Sequence, residues 1–240
     1  MSRPIQAHIE LSALERNLAL VRRKTGARIM AVIKANAYGH GLLHTAEALQ
    51  AADGLAMLDL GDAIRLREAG CRQTILLLEG VFRAEEMAQV AEYDLSLVVH
   101  SAQQLAMLDA YPRRERLSVW LKVNTGMNRL GFTPAELPEA MSCLKAHAAV
   151  RDVILMTHFA NADVTQGVAA QLERFNDLAS SFNMQRSLAN SAAILRYPAT
   201  HGDWVRPHHA VWRLSLCGNQ RERSGVASCH DAQQRADLGA

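Results

Sequence analysis

Ala31-Val32-Ile33-Lys34-Ala35-Asn36-Ala37-Tyr38-Gly39-His40-Gly41 is the stretch on which the reading of this chain turns. An apolar run reads as a buried strand and ends on a lysine, after which Asn, Gly, His and Gly mark a turn. A lysine so placed has a desolvated stem and a head at the C-terminal end of the strand, where its amine serves as nucleophile or base. Of the 26 lysines and arginines only four are lysines: Lys24, Lys34, Lys122 and Lys145. Lys24 and Lys145 lie in polar or helix-like surroundings, so Lys34 and Lys122 are the two set in strand patterns. In a sequence that prefers arginine, such a lysine either snorkels to water or is there for its chemistry. Its neighbours decide which.

Working outward, apolar strand-like runs recur at 29–34, 54–58, 74–78, 95–99, 118–123, 152–157, 186–189 and 203–206. Helix-period segments lie between them, at 41–51, 62–69, 101–110, 134–148 and 168–181. Ser101 stands as a cap before AQQLAMLDA, and Thr133-Pro134 opens the helix that follows. Strict alternation implies right-handed βαβ units and a parallel sheet. Eight strands in this span suit a closed (β/α)8 TIM-type barrel better than an open sheet. The expected organisation is a leading strand in 1–10, an α/β barrel over 11–207, and a tail at 208–240.

The composition narrows the function classes. A net charge of +2 gives no reason to expect nucleic acid or an anionic membrane as partner. No apolar run reaches membrane-spanning length and Met1-Ser2-Arg3-Pro4 starts no signal peptide, so a cytoplasmic location is expected. Cys71, Cys143, Cys217 and Cys229 form no CxxC pair and read as free thiols. His40 and His44 have a ligand spacing, but no third ligand accompanies them, and no metal is expected.

In a barrel the active face is the C-terminal end of the strands. Those ends carry Lys34, His100, Lys122 with Arg129 in the loop beyond, His158, Asn190-Ser191 and Arg206. One nucleophilic amine, an imidazole, further cations and small hydroxyl and amide groups fit an anionic ligand with a carbonyl for the amine to capture. Pyridoxal 5'-phosphate has that chemistry, with its aldehyde on Lys34 and its phosphate facing Ser191. His100 is read as structural.

These residues lie in segments that resemble the bacterial alanine racemases. VIKANAYGHG resembles the cofactor-lysine motif of that family, and LKVNTGMNRLGF, MTHFANAD, SLANSAA and DWVRP follow in the family's order over roughly residues 1–207. The resemblance implies a pyridoxal phosphate enzyme that interconverts L- and D-alanine, a family homodimer, and Lys34 as one of two bases. It implies that Tyr38, Asn190 and Ser191 bind cofactor, with Tyr38 and Ser191 at the phosphate. It further places Arg206 at the ring nitrogen with His158 behind it, and Arg129 near the ring oxygen and the substrate carboxylate. Lys34, Arg129 and His158 are thus the expected catalytic set. Lys122 matches a lysine that is carbamylated in some members, although Asn124 stands where many carry an aspartate.

After Pro207 the pattern departs. Family members continue with a Gly-Ile turn and a long β-rich domain, which in the partner subunit supplies a catalytic tyrosine. Here the sequence reads His208-His209-Ala210-Val211-Trp212, and Tyr93, Tyr111 and Tyr197 match no such tyrosine. The expectation is a racemase barrel followed by a tail from a shifted reading frame or without order. Activity and dimerisation are expected to be weakened or lost, and the leading strand is expected to present an open edge. A single-barrel pyridoxal phosphate carrier and an inert fragment are the competing readings.

Overall fold

The computed structural model describes residues 6–111, 116–208 and 230–233. Eight parallel strands close into a barrel: β2 (Arg28–Val32), β3 (Gly54–Met57), β4 (Thr74–Leu77), β5 (Ser96–Val99), β6 (Leu117–Lys122), β7 (Val150–Met156), β8 (Arg186–Asn190) and β9 (Trp204–Arg206). Each strand pairs with its sequence neighbour, and β9 returns to β2 through Arg28↔Trp204 and Ile29↔Val205. Helices α1 (Leu11–Lys24), α3 (Leu42–Ala48), α4 (Leu60–Glu68), α5 (Glu86–Glu92), α6 (Ala102–Asp109), α7 (Leu137–Ala146), α8 (Ala169–Ala179) and α9 (Ser191–Arg196) fill the connections. All eight expected strands are present, each within two residues of its expected start.

The strands read as near-continuous apolar runs because both of their faces are covered. One set of alternating side chains, including Ile29, Ala31, Leu55, Ile75, Leu97 and Val119, packs outward against the helices. The other set, Met30, Val32, Ala56, Leu76, Val98, Trp120, Ile154, Met156 and Trp204, fills the barrel. Trp120 and Trp204 meet there with ring centroids 5.5 Å apart, and the Arg28 guanidinium lies 4.1 Å from the Trp204 ring centroid. The lower barrel is therefore solid.

Local signals set the helix starts. Ser101 accepts from Gln104 N–H and Asp59 from Asp62 N–H, capping α6 and α4. Before α7, Thr133 N–H donates to Glu136 Oε2 at 2.8 Å and Glu136 N–H to Thr133 Oγ1 at 3.4 Å, a reciprocal capping box.

Two expectations about the ends of the chain require correction or restriction. The leading strand is paired along one side, where β1 (Gln6–Ile9) runs antiparallel to β10 (His230–Gln233) in a two-stranded sheet. β10 lies within the expected tail at 208–240. The other tail residues, 209–229 and 234–240, lie outside the described residues.

The quoted motif forms the least ordinary element. The short helical segment α2 (Lys34–Tyr38) is wound left-handed: Ala35, Asn36, Ala37 and Tyr38 have φ of 53°, 50°, 55° and 54°. Each such residue costs about 1–2 kcal/mol relative to right-handed backbone, and four in a row amount to a sizeable share of a domain's stability. The surroundings hold the turn in place. Ala37 is fully buried, Asn36 Oδ1 accepts from Leu42 N–H at 2.9 Å, and Gly39 leaves the turn at φ 86°.

Ala35 is exposed, so Ala35→Gly relieves strain while removing little packing. We expect it to be neutral or to stabilise by up to about 1 kcal/mol in urea unfolding, where an exposed alanine-to-glycine change normally costs that much. A loss of about 1 kcal/mol would show the turn to be unstrained.

Candidate active site

The inward rows continue past the strand ends. Above Met30 and Val32 comes Lys34, and above Trp120 comes Lys122. Above Ile154 and Met156 comes His158, and above Trp204 comes Arg206. Because side chains alternate along a strand, the row that makes the apolar floor also aims these polar groups into the mouth. They surround a cavity of about 240 Å³ lined by Lys34, Tyr38, Lys122, Arg129, His158 and Arg206, with Glu79 and His208, and with Val32, Leu58, Leu78, Leu130 and Met156 as its apolar wall. Four cations face a single carboxylate, Glu79, among the described lining residues. The cavity is built for an anion with an apolar body.

Arg206 is the most enclosed of the cations. Its Nη1 donates to Ser187 Oγ at 2.5 Å, and its Nη2 to the carbonyls of Thr157 at 2.5 Å and Leu188 at 3.3 Å. Burial lowers its pKa to about 10, so it remains protonated at neutral pH. Burial, with Arg206, Lys122, Arg129 and His208 nearby, holds His158 well below the usual imidazole range, and it is neutral there. Lys122 is buried, and desolvation, then Arg129 and Arg206, bring it down to about 8, while Glu79 acts the other way. Burial pushes the Tyr38 hydroxyl up to about 12, so it remains a protonated phenol.

Arg129 stands on an exposed loop that is pinched shut at its base. Asn124 N–H donates to Phe132 O at 2.8 Å and Phe132 N–H to Lys122 O at 2.9 Å. Asn124 Oδ1 accepts from the N–H groups of Gly126 and Asn128 at 3.0 and 3.1 Å, shaping the loop with no charged group. Behind His158, Gln171 accepts from Ala160 N–H and donates to His158 O and Thr125 Oγ1. Gln104 plays the same part on the other side, bonding Glu79 O, Val81 O and His100 N–H.

Of the residues singled out in the sequence, Lys34, Tyr38, Lys122, Arg129, His158 and Arg206 come together at the cavity. Ser191 reaches it through His208, whose N–H donates to Ser191 Oγ at 2.8 Å. Asn190 stands apart as the cap of α9, accepting from Ala193 N–H and donating to Phe159 O. His100 is not among the lining residues; burial first, and then Lys122, lower its pKa. Glu79, His208 and the apolar wall were not picked out in advance. Alternation points to most of them, since Leu58, Leu78 and His208 each lie two residues beyond an inward position. Among the described residues no three His, Cys, Asp or Glu gather as metal ligands.

Residues 9–215 match the family model described as alanine racemase, N-terminal domain. The chain belongs to this family. Among curated relatives, alanine racemase of Nitrosospira multiformis is 62% identical over 211 residues, covering 86% of this chain and 59% of the relative. The catabolic alanine racemase of Klebsiella aerogenes is 45% identical over 223 residues, covering 92% and 63%. The solved biosynthetic alanine racemase from Pseudomonas aeruginosa superposes with a TM-score of 0.92 at 39% identity, covering 96% of this chain and 66% of that one. The chain spans about three fifths of the length of the curated relatives it matches. The matched part is the barrel, so the family's N-terminal domain is the unit whose mouth carries this cavity.

Lys122 gives the site a testable pH signature. Folded Lys122 releases its proton near pH 8, whereas the unfolded chain keeps it to about 10.5. Between these values the unfolded state binds more protons, so stability rises with pH. Well below pH 8 the penalty is present in full, roughly 3 kcal/mol. Lys122→Met should raise the urea midpoint at pH 7 in the absence of cofactor and flatten the rise between pH 8 and 10. An unchanged slope would show that another group titrates there.

Proposed function

We propose that this barrel holds pyridoxal 5'-phosphate and performs the proton-transfer half of alanine racemisation at Lys34. The observation that carries the reading is the convergence on one cavity of an amine, a buried guanidinium, a neutral imidazole, a phenol and an exposed-loop guanidinium, in a chain of the alanine racemase family. The donor set fits the cofactor: its charge excess suits a phosphate and a carboxylate, and the apolar wall suits a flat ring. When bound, the cofactor supplies an electron sink that acidifies the Cα–H of an amino acid.

Lys34 would hold the cofactor through its Nζ, and the free amine would serve as the base for the Cα proton. Arg206 is the group for the ring nitrogen. Three hydrogen bonds fix its guanidinium, and even at about 10 its pKa makes it a poor proton donor to a pyridine. A fixed donor that keeps its own proton would leave the ring nitrogen unprotonated. His158, neutral beside Arg206, adds no competing positive charge. Arg129 is the exposed guanidinium for the substrate carboxylate, where bidentate pairing orients the amino acid. Lys122, near its titration point at pH 8, supplies a cation behind Arg129 or, as the neutral amine, relieves the crowding of charge.

Inversion also needs a proton carrier on the opposite face. The family's is a tyrosine, and Tyr93, Tyr111 and Tyr197 do not line the cavity. The 240-residue chain supplied with pyridoxal 5'-phosphate in D₂O should therefore place deuterium at Cα of one alanine enantiomer far faster than it inverts that enantiomer. Proton NMR reads the exchange and chiral chromatography the inversion. Rapid inversion would overturn the half-site assignment, and exchange that survives Lys34→Ala would remove Lys34 as base. Capture of the aldehyde with no exchange would favour a carrier.

A further inference from the structure

The loop that carries Arg129 is fastened to its surroundings through one buried hydroxyl. Gly126, Asn128 and Arg129 are exposed, while Thr125 and Phe132, which bracket them, are buried. Thr125 Oγ1 lies 2.8 Å from Thr157 Oγ1, and Thr157 Oγ1 donates to Val123 O at 2.9 Å. A hydroxyl has one proton to give. Thr157 commits its proton to Val123, so Thr125 is the donor between the two threonines. Thr125 Oγ1 in turn accepts from Gln171 Nε2 at 3.2 Å, and Thr125 O accepts from Arg174 Nη1 at 2.7 Å. Gln171 and Arg174 stand three residues apart on α8, hence on one face of that helix. The loop backbone lies against the same face: a Cβ on Gly126 would stand 3.3 Å from Arg174 Nη1 and 3.6 Å from Gln171 Cγ.

These hydrogen bonds run in one direction, from Gln171 through Thr125 and Thr157 to Val123 O. A buried chain of this kind is stiff when each member has its partner, and the loss of one link weakens the others. Thr157 gives the chain its reach. Its hydroxyl receives the Arg129 loop, while its carbonyl accepts from Arg206 Nη2 at 2.5 Å. Both guanidinium groups of the cavity are thereby referred to a single residue. A carboxylate pairs best with a guanidinium in a fixed planar geometry, so a loop free to swing would hold it less well.

We propose that Thr125, latched to α8 by Gln171 and Arg174, is a positioning residue for Arg129: it sets the spacing between the Arg129 and Arg206 guanidinium groups and so the grip on a ligand carboxylate. Identifying that carboxylate as the one of an amino-acid substrate rests on the function proposed above.

The test uses propionate, a carboxylate without an amine, titrated into the full 240-residue chain free of cofactor. The Arg129 Nε–H resonance, assigned by its loss in Arg129→Gln, reports occupancy. Thr125→Val keeps the shape of the side chain and removes the hydroxyl link, whereas Thr125→Ser keeps the hydroxyl. Thr125→Val should raise the half-saturating propionate concentration about tenfold, the loss of one buried hydrogen bond. Thr125→Ser should restore most of the wild-type affinity, Gln171→Met should behave as Thr125→Val does, and matching thermal melts exclude misfolding. No loss in Thr125→Val, or an equal loss in Thr125→Ser, would overturn the proposal. If propionate leaves the wild-type Arg129 resonance unmoved, the carboxylate reading fails and the latch is judged by nitrogen-15 relaxation of residues 126–130. Order parameters that fall in Thr125→Val and recover in Thr125→Ser uphold it, and unchanged order parameters overturn it.

Discussion

The parallel pairing of β9 on β2 is the contact on which the rest depends. Arg28↔Trp204 and Ile29↔Val205 join the first and last strands of the barrel, and Val32 N–H to Pro207 O carries the join to the rim. Without it the eight strands are an open sheet with two exposed edges. With it, Lys34 from one end of the sequence faces Arg206 and His208 from the other. The entropy cost of closing so long a loop grows only logarithmically with its length, so the chain can place its most separated residues side by side. Arg206 reinforces the closure, bonding Ser187 and Leu188 on β8 and Thr157 just beyond β7.

That closure also concentrates charge where solvation is poor. Lys34, Lys122, Arg129 and Arg206 share one small cavity with a single carboxylate. The chain limits the resulting repulsion without filling the site with counter-ions. His158 is neutral and Lys122 sits near its titration point. Arg206 is compensated by carbonyl and hydroxyl dipoles. Dipoles neutralise less than a carboxylate does, so an incoming anion still finds net positive potential. The stability lost in the empty site reappears as affinity when a ligand supplies the missing negative charge.

Much of this was legible in the sequence because a barrel strand writes its destination in its parity. The same alternation that marks Trp120 and Trp204 as interior marks Lys122 and Arg206 as facing the mouth, and the apolar runs located every strand of the barrel. Other features left no such trace. Glu79 falls one residue out of phase and enters the cavity from a loop, held by Gln104 from the neighbouring helix. Asn190 sits in phase with a functional segment, yet its amide is consumed capping α9. The handedness of Lys34–Tyr38 was invisible because Ala35 and Ala37 are ordinary right-handed helix formers, and only Gly39 hints at positive φ. The β1–β10 pair joins segments at opposite ends of the chain, and no local pattern announces such a partner.

The tryptophan floor has a consequence for traffic. Trp120 and Trp204 plug the barrel beneath the cavity, and the Arg28 guanidinium lies across the Trp204 ring. The vessel is closed at the bottom, so any ligand of the cavity and the solvent it displaces must share one opening. Queueing at that opening is then set by whatever rests on the rim. The two sides of a planar cofactor would differ in access, one turned to the wall and one to the doorway, before any catalytic group is considered.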